Sequence, residues 1–386
     1  MNMESAWICA ARRTPFTRAG KGALAAARPD DLLAGVFRNL FEGLPAGARE
    51  AVDEVVVGCA YPEAEQGRNV ARAVTLASGL SDRVPAMTLT RMCASSLEAT
   101  AIACAKVRLG EASMVLVGGM ESMSRIPMGG VKPSPNPEWL ERRPEIYMAM
   151  GATAERVAQR FGIARGDQDA WALRSHQRAA AARERCVFSA EILPVTVVVD
   201  GAPREIPEDD TLRKDSTSEK LASLAPAFDA QGTVTAGNAC PTSDGASALL
   251  VASGSKVAEL GLTPLGRFVS YAVAGVDPAL MGIGPVEAVP RALGRAGLSL
   301  AEIGRIELNE AFASQVLAVM RELELPEERT NVNGGAIAIG HPLGATGVRL
   351  VGTLLRELKR SGGRYGLTTL CVGGGMGAAM VLERVD

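Results

Sequence analysis

The sequence holds no run of 18 or more apolar residues, so no transmembrane helix is expected. Aromatic residues make up only 4% of its 386 positions, too few for a base-stacking surface. Forty-one basic and 43 acidic residues leave a formal net charge of -2, which argues against a sequence-independent nucleic-acid binder, although a local basic patch stays open. The seven cysteines (Cys9, Cys59, Cys93, Cys104, Cys186, Cys240, Cys371) are an odd, irregularly spaced set without a CxxC pair. They make a poor disulfide framework and no zinc signature, and reduced thiols in a cytosol-like compartment are the expectation. There are only two histidines, His176 and His341. No basic segment leads into a long apolar core near Met1, so no secretory signal is expected, and Arg384-Val385-Asp386 is no peroxisomal address.

What is present fits a large globular chain. The composition is 47% hydrophobic and 22% charged, which excludes a disordered polymer. A chain this long buries roughly three quarters of its unfolded surface. Glycine is abundant, at 42 residues, and hints at close backbone approaches.

Short apolar runs alternate with helical patterns. Glu54–Gly58, Met114–Gly118 and Arg305–Leu308 read as strands, as do Leu367–Cys371 and Ala378–Leu382 around a glycine turn. Residues 69–79, 95–109, 311–323 and 347–358 read as helices. This alternation is an α/β signature. Asp53–Gly58 precedes Val117–Met120 by nearly the spacing that separates Arg305–Asn309 from Val372–Met376, and the end segments match in kind. We read a duplicated α/β unit. The middle differs. Residues 126–144 carry five prolines, 152–185 form a charged helical stretch, and 200–221 are polar. The expected division is 1–120, an inserted domain at 121–245 over one face of the core, and 246–386.

Four sites are candidates for chemistry. Cys93 lies just before an alanine-rich helix, whose positive N-terminal end is expected to lower a thiol pKa; its alternative reading is a buried structural cysteine. His341, in a glycine-wrapped loop, is a natural base for a thiol, or else a packing residue. Cys371 precedes the Gly373-Gly374-Gly375 cluster, whose amides suit an oxyanion hole, or else a tight turn with an inert thiol. Asn309 stands where a strand runs into a helix, to orient a water, donate to an oxyanion or cap the helix. His176, between Arg174 and Arg178, reads as a solvated helix residue.

Together these stretches resemble the thiolases, in particular the degradative 3-ketoacyl-CoA thiolases of fatty-acid β-oxidation. The matching segments are Arg91-Met92-Cys93-Ala94-Ser95-Ser96, Gly118-Gly119-Met120-Glu121-Ser122-Met123, Gly232-Thr233-Val234-Thr235-Ala236-Gly237-Asn238, Asn309-Glu310-Ala311-Phe312-Ala313, Gly340-His341-Pro342-Leu343-Gly344 and Cys371-Val372-Gly373-Gly374-Gly375. They span essentially the whole chain.

The resemblance implies the thiolase fold: a duplicated five-layered αβαβα core with an inserted loop domain. It implies a homodimer or homotetramer in the cytoplasm, a possible β-oxidation partner subunit, and no cofactor, CoA being a substrate. By motif position, Cys93 is the acylated nucleophile, His341 its base, and Cys371 the acid for the acetyl-CoA enolate. Asn309 with a water and His341 form one oxyanion hole; the amides of Cys93 and Gly373 form the other. Arg213 matches a CoA-nucleotide contact. Phe228, Ala236, Met281, Ala311 and Phe312 match positions along the pantetheine and acyl path, and Cys240 stands where a serine often meets pantetheine. Ser96 replaces a common glycine. Ala149 replaces the histidine of biosynthetic acetoacetyl-CoA thiolases. Seven arginines within 156–185 either attract the CoA nucleotide or are solvated helix residues. The alternatives are an acetoacetyl-CoA or 3-oxoadipyl-CoA thiolase, a non-catalytic acyl-CoA or lipid-binding protein on the same scaffold, and a ketosynthase, disfavoured because that chemistry usually needs two histidines.

Overall fold

The computed structural model describes residues 4–199 and 201–385. Met1–Met3, Asp200 and Asp386, which include parts of both chain ends and of the polar segment read above, lie outside the described residues.

The first half runs β1 (Ala6–Arg13), β2 (Thr17–Arg18), α1 (Pro29–Glu42), β3 (Glu54–Cys59), α2 (Val70–Ala77), β4 (Ala86–Leu89), α3 (Ser95–Leu109) and β5 (Met114–Ser122). The middle carries α4 (Pro137–Arg142), α5 (Met150–Arg160), α6 (Arg165–Glu184), β6 (Val195–Val199), β7 (Ala202–Ile206) and α7 (Ser218–Ala222). β8 (Ser243–Ser253) returns to the first sheet and is followed by α8 (Gly254–Leu260). The second half runs β9 (Gly266–Gly275), α9 (Gly284–Ala296), β10 (Ile303–Leu308), α10 (Ala313–Leu323), α11 (Ala336–Ile339), α12 (Thr346–Ser361), β11 (Tyr365–Val372) and β12 (Met376–Arg384).

The duplication is visible in strand order. One half reads β4-β3-β5-β8-β1 and the other β10-β11-β12-β9, and the two meet where Trp7 and Ile8 of β1 pair with Arg267 and Gly266 of β9. β3 pairs parallel with β5 as β10 does with β11. β5 pairs antiparallel with β8 as β11 does with β12. Even β4 has a trace of a counterpart, a single parallel bridge from Ile306 to Thr330.

The apolar residues sort into layers. α1 and α2 cover one face of the first sheet with Leu33, Phe37 and Val74. α9 and α10 cover the outer face of the second with Val289, Val316 and Val319. Between the sheets, α3 and α12 share one core in which Leu97, Val107, Leu350 and Leu354 meet Val117 from one sheet and Leu370 from the other. Helices, sheet, helices, sheet, helices gives the expected αβαβα order.

Glycine makes the central layer close enough to carry a site. A Cβ on Gly58 of β3 would lie 2.3 Å from backbone atoms of Ser95 and Ser96, so the head of α3 rests directly on that strand. A Cβ on Gly347 would lie 2.2 Å from the Leu97 nitrogen, which is how α12 reaches α3.

The middle departs from expectation. The polar stretch after 200 contains β7, paired antiparallel with β6 over Val195↔Ile206 to Val199↔Ala202. Its strand was hidden because four of its five residues are exposed. The 152–185 stretch divides into α5 and α6. The proline-rich 126–144 stretch is irregular and largely exposed, with only the short α4 capped by the Asn136 side chain.

Candidate active site

Cys93 sits in a single tight turn (residues 92–94) at the head of α3 and is 8% exposed. Met92, just before it, has φ 44°, a left-handed conformation that costs a non-glycine residue energy. The backbone amides of Gly373 and of Cys93 itself lie toward the Cys93 sulfur, where they favour its thiolate. Both amides thus face the same atom. The expected depression of this thiol's pKa is overturned. Burial pushes it up to about 11, the two amides only partly offset this, and the Glu121 charge adds to it. Desolvation outweighs the helix end.

Cys371 is the last residue but one of β11, two residues before Gly373, and is 1% exposed. Burial raises its pKa, and the neighbouring thiols Cys93 and Cys240 raise it further. Cys240 feels Cys93 in turn, so three sulfurs share one neighbourhood. The Cys240 amide donates to the Ala311 carbonyl at 3.0 Å.

His341 is buried. The Thr346 hydroxyl donates to the Pro342 carbonyl at 2.8 Å, so its oxygen accepts from His341 Nδ1 at 2.6 Å. That assigns the proton to Nδ1 and leaves the Nε2 lone pair to accept from Asn309 Nδ2 at 3.3 Å. Burial first, then the Arg349 charge, pulls the imidazole pKa down to about 3, which keeps the ring neutral. Asn309 is no helix cap, because α10 starts only at Ala313, with Phe312 at its cap. Its amide donates to Thr369 on β11 at 2.9 Å, and its Oδ1 is buried with no partner.

The histidine loop lies on the head of α3. Leu343 packs in one core cluster with Cys93 and Ala94, and the Val348 amide donates to Ser96 Oγ at 3.1 Å. A Cβ on Gly344 would lie 2.3 Å from the Met120 carbonyl.

Around Cys371, Ala154, Val234, Ala239, Met281, Ala311 and Phe312 form a buried apolar cluster, with Met150 beside it. Phe228 is half exposed and stands edge-on to Phe312, ring centroids 6.1 Å apart. Ala236 is exposed. Arg213 is half-buried on the loop after β7, with Arg18 and Asp215 as its charged neighbours. Its amide donates to Nδ1 of His176 at 3.3 Å. His176 is therefore no solvated residue: it is 3% exposed, because α6 turns that face onto the Arg213 loop. The arginine run is mostly paired, Arg165 with Asp169, Arg174 and Arg178 with Glu327, and Arg183 with Glu208.

Several residues that position the site had only motif membership to mark them. Glu121 is fully buried and accepts from the amides of Ala60, Tyr61 and Gly344 and from Gln66, tying the histidine loop to β3 and β5. Glu310 accepts from Trp171, Ser175, Asn331 and the Ile337 amide, tying α6 to the stretch before His341. Their signal was an acid inside an otherwise apolar or glycine-rich run, which is costly unless every oxygen is satisfied. Thr346 and Arg349 gave no such signal.

Residues 6–255 match the family described as thiolase, N-terminal domain, and residues 262–384 match thiolase, C-terminal domain. The chain is 50% identical to a 3-ketoacyl-CoA thiolase of Bacillus subtilis (strain 168), over 99% of this chain and all of that one. It is 45% identical to a 3-oxoadipyl-CoA/3-oxo-5,6-dehydrosuberyl-CoA thiolase of Escherichia coli (strain K12), again over 99% of this chain and all of the relative. Among solved structures, human mitochondrial 3-ketoacyl-CoA thiolase superposes with a TM-score of 0.91 at 38% identity, covering the whole of both chains.

Proposed function

The chain belongs to the thiolase family, and from that premise we propose that it cleaves 3-ketoacyl-CoA to acetyl-CoA and a shortened acyl-CoA through an acyl group held on Cys93. The observation that carries the residue roles is the meeting of the Gly373 amide with the Cys93 sulfur, beside a second thiol, Cys371.

The steps follow from bond types. His341 Nε2 takes the Cys93 proton, and the thiolate attacks the keto carbon. The bond between the second and third carbons breaks with its electron pair on the second, giving the enolate of acetyl-CoA. Cys371 donates a proton to that carbon, and the proton on His341 restores the Cys371 thiol. CoA then gives its thiol proton to His341 and attacks the acyl carbonyl. The C–S bond to Cys93 breaks, and the proton returns to Cys93. A thioester on cysteine stays close in energy to the CoA thioester, so the transfer is reversible. The amides of Cys93 and Gly373 face one developing oxyanion; Asn309, whose Oδ1 is free to hold a water, and His341 face the other.

Apolar side chains surround Cys371. A 3-oxoadipyl chain laid against them would press its terminal carboxylate on apolar surface, which is costly. This favours uncharged acyl chains over 3-oxoadipyl-CoA. Arg213 and its neighbour Arg18 suit the CoA phosphates. We further propose a cytoplasmic homo-oligomer with an acyl-CoA-handling partner subunit as one assembly. One observation supports the assembly: the half-buried β4 ends the sheet with an unpaired edge.

The test is intact mass after mixing with a 3-ketoacyl-CoA. An acyl adduct on Cys93 is expected, and full thiolysis by Cys93→Ala would overturn the mechanism. Comparing four-carbon, long-chain and 3-oxoadipyl substrates tests the chain preference, and faster cleavage of the last would reverse it.

A further inference from the structure

Glu307 and Arg349 form an ion pair deeper in the fold than any step above requires. Arg349 Nη1 reaches Glu307 Oε2 at 3.1 Å, and the side chains are 1% and 3% exposed. Burying such a pair seldom adds net stability, so its place in the fold calls for a reason.

That place is behind His341. Glu307 is on β10, two positions before Asn309, which follows the last residue of the strand and whose backbone amide still donates to the Thr369 carbonyl of β11. Arg349 is on α12 one turn after Thr346, and residues three apart on a helix share a face. Thr346 holds Nδ1 of the imidazole and Asn309 holds Nε2. A ring of contacts therefore closes: imidazole, Thr346, one turn of α12, Arg349, Glu307, one step of β10, Asn309, imidazole. Only one nitrogen of the guanidinium reaches a carboxylate. Nε and Nη2 of Arg349 are buried with no protein partner, and burial pushes the Glu307 carboxyl up to about 8 against the pull of Arg349, so the guanidinium charge is incompletely neutralised.

We propose that Glu307–Arg349 is a positioning pair for His341: it fixes the separation of the two elements that grip the imidazole, and it keeps behind the ring a positive charge that favours the neutral, proton-accepting form. The inference rests on the reading of His341 as the base. Other charged groups face this region and are unchanged in the variants below. Glu121 accepts from the Gly344 amide, Glu310 accepts from the Ile337 amide, and Arg13, Glu191 and Glu357 lie near the pair. The thiols Cys93, Cys240 and Cys371 are neutral at pH 7.

The full chain labelled at histidine gives two ring signals to titrate by NMR, with His176 as internal control. Arg349→Met is expected to raise the His341 midpoint by about one pH unit or more. Arg349→Lys returns it toward the parent value. Glu307→Gln, which leaves the guanidinium unbalanced, lowers it or leaves it in place. In Glu307→Gln kcat falls with KM little changed. A His341 midpoint equal in all four proteins, or one that rises in Glu307→Gln, overturns the proposal, provided the His176 signal stays native. If Arg349→Met does not fold, the kcat of Glu307→Gln decides it: a value equal to the parent's overturns the proposal. His341→Asn separates the two readings: if it still acylates Cys93 at the parent rate, the base assignment is lost, whereas the midpoint shifts report on the pair alone.

Discussion

Asn309 donates from Nδ2 to Nε2 of His341 at 3.3 Å while its own Oδ1 stays buried and unpartnered. The amide therefore does two jobs: it fixes which imidazole nitrogen carries the lone pair, and it offers an acceptor to a water at the same spot. Asn309→Ala removes both. The expected result is a fall in kcat of roughly 10²–10³-fold, the usual cost of one oxyanion-hole donor, with an unchanged melting temperature. A loss below tenfold would remove Asn309 from the oxyanion site.

The resting pair is neutral thiol and neutral imidazole. The Cys93 thiol is pushed up to about 11 and His341 is pulled down to about 3, so at pH 7 neither carries charge. Because the thiolate is the reactive form, alkylation of Cys93 by iodoacetamide should climb with pH to beyond pH 9 in the absence of substrate. Intact mass against Cys93→Ala gives the rate. A plateau between pH 5 and 8, the mark of a preformed ion pair, would contradict this electrostatic picture.

Gly58 tests how the nucleophile helix is seated. A methyl group there would lie 2.3 Å from the backbone of Ser95 and Ser96, and backbone cannot swing aside. Gly58→Ala should therefore lose about 1–3 kcal/mol or more of stability and push α3 off β3, lowering kcat along with it. Denaturant midpoints and single-turnover acylation check both halves. A variant with parent stability and rate would mean that the seat is softer than its geometry.

Much of this was legible in the sequence, and the reasons are physical. Helix α3 begins and ends as its pattern foretold, at Ser95 and Leu109, because an alanine-rich run between a turn and Gly110, at φ 74°, leaves no alternative. Cys93, Asn309, His341 and Cys371 stood out because they interrupt glycine-rich or apolar stretches. What stayed hidden depended on partners far along the chain. Strand β7 is solvent-facing, so it shows no apolar alternation. His176 is buried because Arg213, on another segment, closes over it. Arg349 and Glu307 looked like ordinary charges of a helix and a strand, and their burial follows only from the two halves packing. The thiol pKa was misjudged because a helix end is visible in sequence whereas desolvation is not.

Both histidines are buried in neutral form, which sets an acid limit on stability. His341 is lowered from 6.5 to about 3 and His176 to about 4, in each case chiefly by burial. The unfolded chain takes up protons below about pH 6.5 that the folded chain refuses, so both contributions to stability are present above pH 6.5 and are lost progressively toward pH 4. His176→Gln, whose side-chain oxygen can still accept from the Arg213 amide, should flatten that decline by up to about 3 kcal/mol. Melts between pH 7 and 4.5 give the slope. An equally steep fall in the variant would assign the acid limit elsewhere.

On the proposed mechanism, Cys371 separates the two halves of the reaction. Protonating the enolate carbon needs a second acid, but exchanging an acyl group between Cys93 and CoA needs none, because the proton only shuttles between sulfur and His341. Cys371→Ala should therefore still exchange acyl groups between an acyl-CoA and isotopically labelled CoA at a rate within about tenfold of the parent. Its thiolysis of 3-ketoacyl-CoA should fall by roughly 10²–10⁴-fold, the scale of a lost general acid. Cys93→Ala should lose both reactions. Were Cys371→Ala to lose exchange as completely as cleavage, the second thiol would be acting on the acyl-enzyme itself, and the division of labour between the two sulfurs would have to be redrawn.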